Sequence, residues 1–273
     1  MKGGGGKTWT PENFREENPV PYGYIDLSTG LIRSINLATL NLARSVGMEP
    51  VIKLANSMGV WGNPGMVRDS EGDIWFKQPG YEIKGGLVPL LPTAIGASDV
   101  NLLELANAYA VFFRNGIYIR PTLITEVRST YGDNVIYKLK PPSEKRVLTA
   151  ETSNKILALM RAITKIGTAK ISMRDIEQEV ACKTGTSNGP RDVSIWCGTP
   201  EIIIAIRFGV DDYRIIELPD YMRNVSGRDD MQVTGGWVAG PLARKMFDRI
   251  YEGRQKVEFS AEVETELQKI LNH

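Results

Sequence analysis

The fold class predicted from the sequence is α/β, of the α+β kind: an antiparallel sheet flanked by helices, joined to a mostly helical subdomain. Three observations predict it. Apolar residues recur at helical spacing through much of 34–115 and again in "ETSNKILALMRAITKIG". After them, "VACKTGT", "VSIWCGTP" and "EIIIAIRFGV" are short apolar runs separated by turn formers, which is how strands read. Helical periodicity returns in "GGWVAGPLARKMFDRIYEG", so helices stand at both ends of the strand run and can cover its faces.

Taken in order, the chain opens "MKGGGGKTWTPENF". The glycines before Lys7 and Thr8 invite comparison with a phosphate-binding loop. That loop needs a strand before it and a helix after it, and here the first required glycine would fall on Met1 while Trp9-Thr10-Pro11 follows. Residues 1–8 therefore read as a flexible glycine-rich lead-in. "WTPENFREENPVPYGYIDLSTGLI" carries Pro11, Pro19, Pro21, Gly23 and Gly30 and reads as irregular connection. "SINLATLNLARSVG" reads as a helix, with Ser34 expected as N-cap and Gly47 as its stop. "EPVIKLANSMGV" follows as a second helix. "SDVNLLELANAYAVFFRNG" is a third, expected to start at Ser98 or Asp99 and to stop at Gly116. Residues 34–115 are thus expected to be mostly helical.

Residues 116–255 are expected to supply the sheet and its covering helices. "IYIRPTLITEVRSTYGDNVIYKLK" alternates around Tyr131-Gly132-Asp133 as a hairpin does. The next helix stops at Gly167, the three strand candidates follow, and Pro241 suits the first turn of the last firm helix. Asp192, Asp211 and Asp212 read as turn and loop residues. Residues 256–273 read as a C-terminal tail.

Composition excludes whole classes of function. The 273 residues are 42% hydrophobic and 24% charged, ordinary for a globular chain with a large core. Thirty-three basic against thirty-two acidic residues leave a net charge of +1, which offers no footprint for nucleic acid. No long apolar run suggests a membrane anchor, and no signal-peptide core follows Met1. The single histidine, His273, stands at the chain end, so no Ser-His-Asp triad can be built on it. Two cysteines without a usable histidine do not make a metal site, and neither metal nor cofactor is expected. Any proton chemistry must rest on Lys, Asp, Glu, Tyr or hydroxyls.

"ACKTGTSNGP" holds the residues best suited to chemistry. Lys183 supplies a positive charge, Thr184 and Thr186 supply hydroxyls, and Gly185 leaves room for a ligand backbone lying along a strand edge. An edge strand also offers free N–H and C=O groups to an extended substrate. The plainer reading is a strand ending in a turn. Far upstream, Ser34 and Asn36 stand two apart; in extended backbone they would project a hydroxyl and an amide into the same cleft.

With these residues the chain resembles, over nearly its whole length, the transpeptidase domain of class A penicillin-binding proteins, the bifunctional peptidoglycan synthases. Ser34-Ile35-Asn36 and Lys183-Thr184-Gly185-Thr186 match the second and third motifs of the penicillin-interacting serine enzymes. Trp9, Pro11 and Asn13 match the family's W-x-P-x-N approach segment. "DVNLLELANAYAVFFRNGIYIRP" resembles its helix of the form lelAxAYaxFaNxGxxxxP. Ile166-Gly167-Thr168-Ala169 resembles its G-T-G-x-A stretch, and Thr234-Gly235-Gly236 with Pro241 its closing T-G-G-x-x-A-x-P.

The resemblance implies a β-lactamase/transpeptidase-like fold and a serine acyl-enzyme mechanism that cross-links stem peptides in peptidoglycan synthesis. The implied partners are D-Ala-D-Ala ends of stem peptides and β-lactams, and the implied location is the periplasmic, extracytoplasmic face of the bacterial inner membrane. Ser34 would relay a proton to the leaving amine, and Asn36 would bond the substrate amide. Lys183 would bias Ser34 and attract the substrate carboxylate, which the Thr184 and Thr186 hydroxyls would bind. The Thr186 N–H would form half of the oxyanion hole, worth about 3 kcal/mol of barrier.

The family's attacking serine belongs to an S-x-x-K motif upstream of the approach segment, where this chain has "MKGGGGK", and no serine here stands three residues before a lysine. Thr152-Ser153-Asn154-Lys155, the nearest imitation, falls inside a predicted helix. The first part of the domain, its first strand and its anchor are therefore expected to be missing, and the chain alone to be inactive and sparingly soluble. A D,D-carboxypeptidase or β-lactamase-type hydrolase and a non-catalytic peptidoglycan-binding remnant are the alternatives. Cys182 and Cys197 stand where the family usually has glycine. If the two strands form a hairpin with Lys183 facing Trp196, the cysteines face each other as a possible disulfide, against the plainer reading of two small buried thiols.

Overall fold

Helix α1 (Leu27–Ile32) is short and lacks a periodic signature, but Asp26 fixes its start: its carboxylate accepts from the backbone N–H of Thr29 at 2.8 Å and the Thr29 hydroxyl at 2.7 Å. The computed structural model describes residue 13 and residues 24–62, 66–68, 74–78, 81–84, 86–132, 134–210, 216 and 233–272. The lead-in 1–8, Trp9, Pro11, Pro19, Pro21, Gly23, Asp133, Asp211, Asp212 and His273 lie outside the described residues. Among the described residues no helix is long and apolar enough to cross a membrane.

A tight turn leads from α1 into α2 (Asn36–Val46), and α3 (Met48–Ser57) follows directly across Gly47. Residues 34–115 are less helical than expected, because an antiparallel sheet of β1 (Met66–Arg68), β2 (Ile74–Gln78) and β3 (Tyr81–Lys84) lies within them. A 3₁₀ turn at Leu91–Ile95 precedes α4 (Leu102–Phe113). Neither Ser98 nor Asp99 starts α4. Asn101 does, accepting from the N–H of Leu103 at 2.8 Å, while the Ser98 hydroxyl is engaged 3.1 Å from that of Thr93.

The expected hairpin forms from β5 (Glu126–Arg128) and β6 (Val135–Lys138), and a second pair joins β4 (Ile117–Ile119) to β7 (Glu144–Arg146). Helix α5 (Ala150–Ile166) starts at its Thr149 cap and ends at Gly167 as its sequence indicated. The three strand candidates become β8 (Ala181–Thr186), β9 (Asp192–Gly198) and β10 (Ile203–Gly209), antiparallel in the order β10-β9-β8. Asp192 is the first residue of β9 rather than a loop residue, and it is ion-paired with Arg207 on β10.

Alternation along these strands divides the sheet into two faces. Cys182, Ile195 and Cys197 face a core built from Ala158, Ile163, Ala243 and Phe247, supplied by α5 and by α6 (Gly240–Ile250). Lys183, Gly185, Ser194, Trp196 and Gly198 face the other way, toward α4, whose Phe113 ring lies where a Cβ on Gly198 would sit, 2.6 Å off. The segment read as a tail is in fact helical: α7 (Ala261–Leu271) is capped by Ser260 and sinks Val263 and Leu267 into the core against α5. The buried Arg161 of α5 locks α7 in place, paired with Glu264 and with Glu179 at 3.3 Å and lying 5.2 Å over the Phe259 ring.

Candidate active site

Ser34 and Lys183, 149 positions apart, meet. The Lys183 ammonium donates to Ser34 Oγ at 2.7 Å and to the carbonyl of Thr184 at 2.8 Å. Two pieces of local structure bring them together. Lys183 projects from β8, which is an edge strand among the described residues. Ser34 sits in the turn between α1 and α2 at φ 55°, the left-handed region that non-glycine residues adopt rarely, held by a bond from its own N–H to the carbonyl of Leu31.

That conformation corrects two expectations. Ser34 is not the N-cap of α2, since Ile35 occupies that position and Ser34 spends its hydroxyl on Lys183. Nor do Ser34 and Asn36 share an extended stretch: the backbone passes from a left-handed residue through extended Ile35 into the helix at Asn36. The orphan N–H of Leu37 in the first turn of α2 is instead satisfied from a distance, by Asn13 Oδ1 at 3.1 Å. Asn13 was legible as part of the approach motif, but its role as a remote cap was not.

Lys183 is half-buried, and the loss of solvent around its ammonium pushes its pKa down from 10.5 to about 8. An amine so placed can exchange a proton with Ser34 near neutrality and still carry a positive charge at pH 7. A lysine-hydroxyl pair of this kind can pass a proton without histidine.

The rest of the K-T-G-T strand is held from behind. Thr184 is buried with its hydroxyl 2.6 Å from that of Thr168, and Thr186 Oγ1 accepts from the N–H of Gly235 at 3.2 Å. The Thr234-Gly235-Gly236 segment crosses tightly there. A Cβ on Gly235 would stand 2.1 Å from the Ser194 carbonyl oxygen, and one on Gly236 2.4 Å from that of Thr168. Gly185, expected to clear a ligand backbone, answers an internal constraint, since a Cβ there would stand 2.6 Å from Ser194 Oγ. Thr168, in a stretch quoted only for its likeness, is the residue whose contact with Thr184 sequence reasoning missed.

On the opposite face of β8, Cys182 lies directly across from Cys197 and the structure joins their sulfurs. The disulfide therefore ties the Lys183 strand to β9 one residue away from the lysine itself. Among the described residues no group of three His, Cys, Asp or Glu side chains stands close enough to hold a metal ion.

Comparison with known proteins bears on the family and the fold. Residues 3–190 match the family model described as the penicillin binding protein transpeptidase domain. Penicillin-binding protein 1A of Aquifex aeolicus is 26% identical over 206 residues, covering 76% of this chain and 24% of that protein. Penicillin-binding protein 1A of Rickettsia bellii is 22% identical over 290 residues, covering 98% of this chain and 32% of its own length. The chain thus spans about a quarter to a third of the length of these relatives. Among solved structures, penicillin-binding protein PonA1 of Mycobacterium tuberculosis superposes with a TM-score of 0.68 at 19% identity over 88% of this chain and 60% of that one. A second structure of PonA1, with a TM-score of 0.67 at 18% identity over 86% of this chain and 58% of that one, is a complex with penicillin V. Penicillin-binding protein 1A of Haemophilus influenzae gives a TM-score of 0.66 at 18% identity over 95% of this chain and 39% of that one.

Proposed function

The chain belongs to the penicillin-binding protein transpeptidase domain family, and on that footing we propose that it carries the substrate-gripping and proton-relaying part of a D,D-transpeptidase site that cross-links peptidoglycan stem peptides. The observation that carries the reading is the 2.7 Å contact from Lys183 to Ser34 at the edge of β8. An extended D-Ala-D-Ala end would pair with that edge as an added strand. Its carboxylate would lie against Lys183 and the Thr186 hydroxyl, with Thr184 contributing if its bond to Thr168 opens. Asn36 would take the peptide amide, the Thr186 N–H would polarise the scissile carbonyl, and Ser34 would pass a proton from Lys183 to the departing D-alanine.

The attack itself is a separate matter. No serine in the 273 residues stands three before a lysine, so these residues by themselves are expected to grip stem peptides and β-lactams without becoming acylated. The Cys182–Cys197 disulfide supports work in an oxidising, extracytoplasmic setting.

Calorimetric titration with a diacetyl-Lys-D-Ala-D-Ala peptide, beside its L-Ala-L-Ala counterpart, tests the grip. Saturable binding of the D,D peptide alone, weakened by Lys183→Met, is expected; equal binding of both peptides, or of neither, would refute the proposal. Intact mass after incubation with a fluorescent penicillin tests the second part. An unchanged mass is expected, and a covalent adduct would show that a nucleophile is present after all.

A further inference from the structure

Lys183 carries a long, rotatable side chain, yet its amine is held between the Thr184 carbonyl of its own strand and Ser34 Oγ, and β8 alone does not account for the second contact. The explanation lies on the neighbouring strand and on α4. Trp196 stands directly across the ladder from Lys183, and its ring leans along the same face, with Cζ3 3.6 Å from where a Gly185 Cβ would be. Tyr109 of α4 stacks on that indole, ring centroids 5.5 Å apart and planes within 5° of parallel. One turn further along α4, Phe113 presses into the space left by Gly198, which fixes how closely the helix lies on β9. Among the described residues the buried indole N–H of Trp196 has no hydrogen-bond partner, and packing holds the ring.

We propose that Tyr109 and Trp196 are positioning residues for the Lys183–Ser34 proton relay: their stacked rings wall the Lys183 side chain on the α4 side, hold its amine against Ser34 and keep water from it. The proposal rests on the reading of this groove as an acyl-transfer site. A flat aromatic plate suits the task because it restricts the lysine stem by contact while offering the ammonium no competing acceptor. Burial is what depresses the Lys183 pKa, as the wall requires. Charged and titratable groups also stand on the described elements packed about this face. Tyr109 itself is pushed upward by burial and stays neutral. Arg207, opposite Ser194, is neutralised by Asp192, and Arg33 beside Ser34 is exposed.

The test follows Lys183 directly in the whole chain, by NMR of ¹³C-methylated lysines, with its resonance assigned from Lys183→Arg. In the parent chain the titration midpoint is expected at about 8. Tyr109→Phe keeps the stack and should leave the midpoint in place. Tyr109→Leu keeps apolar bulk but removes the plate and should move the midpoint toward 10.5. A Tyr109→Leu midpoint that stays at about 8, or a parent midpoint near 10.5, would overturn the proposal. Should circular dichroism show Tyr109→Leu unfolded, Trp196→Leu, which removes the other ring of the plate, decides the matter: a raised midpoint supports the wall and an unmoved one overturns it. The titration is read without ligand, so a parent chain that fails to bind D-Ala-D-Ala peptide would sink the acyl-transfer reading and leave this measurement standing.

Discussion

The two residues that define the site stand on ground of different firmness. Lys183 belongs to a sheet backed by Ile163, Ile195, Phe247 and Leu267, all sealed from solvent, and stapled to β9 by a disulfide. Ser34 belongs to α1 and α2, where Leu40 and Ala43 are the buried residues of α2, α3 buries none, and Leu42, Val46, Leu54 and Trp61 stand exposed. Ile32 is the anchor of that region, buried in the sheet's core, with its carbonyl oxygen 2.5 Å from where a Gly167 Cβ would be. The difference teaches that the site is strong in its lysine half and conditional in its serine half. Elements with little buried apolar surface open at low free-energy cost, so the contact at Ser34 depends on a few local bonds.

The comparison can be broken first from the firm side. Phe247→Ala empties a sealed core position and should cost about 3–5 kcal/mol, unfolding the sheet half, as urea denaturation would show; a loss below about 1 kcal/mol would mean this half is no firmer than the other. Reducing the Cys182–Cys197 disulfide, which closes a loop with a sequence separation of 15, should cost roughly 3 kcal/mol. Thiol titration of the denatured, unreduced chain should find no free thiol, and two would contradict the bond.

A pH series sharpens the comparison at the lysine. Burial sets Lys183 at about 8, against 10.5 in the unfolded chain, so between those values the folded chain holds fewer protons. The contribution of Lys183 to stability therefore grows as pH rises through that window. Its affinity for a carboxylate moves the opposite way, falling about tenfold per pH unit above 8 as the charge is lost. An affinity for D-Ala-D-Ala peptide that stays flat to pH 10 would contradict the assignment. The smallest effect is expected on the serine side. Asn13→Ala removes the remote cap of α2 and should cost about 1 kcal/mol, read as faster hydrogen exchange at Leu37 with α5 unchanged.

Legibility in the sequence followed the same division. Helix α5 was readable because its pattern is long and stops at a glycine, strands β8–β10 because turn formers bound each short apolar run, and a shared core enforces both. The placement of Cys182 opposite Cys197 was readable on the condition that Lys183 faces Trp196, which is the register that β8 and β9 adopt. Around Ser34 the local rules misled. Ser34 and Ser98 both look like caps, yet each hydroxyl is committed elsewhere, to Lys183 and to Thr93, and those commitments are tertiary. Helix α1 is too short to show a period and is defined by its Asp26 cap. Helix α7 did leave a signal, with Ser260 before Glu262 and Glu264 and apolar Val263 and Leu267 four apart, but it stands after the last motif and reads as a tail. The aromatic plate of Tyr109 and Trp196 could not be read at all, because stacking between a helix and a strand depends on how closely Phe113 and Gly198 let them approach.

A double-mutant cycle on D-Ala-D-Ala peptide affinity asks most directly whether Ser34 and Lys183 act as one unit. Ser34→Gly removes the hydroxyl while tolerating the left-handed backbone at φ 55°, and Lys183→Met removes the ammonium. If the pair grips the peptide together, the two losses should be coupled by about 1 kcal/mol or more. Losses that add to within about 0.3 kcal/mol would mean that the two side chains touch without working together, and the account of the site would fail.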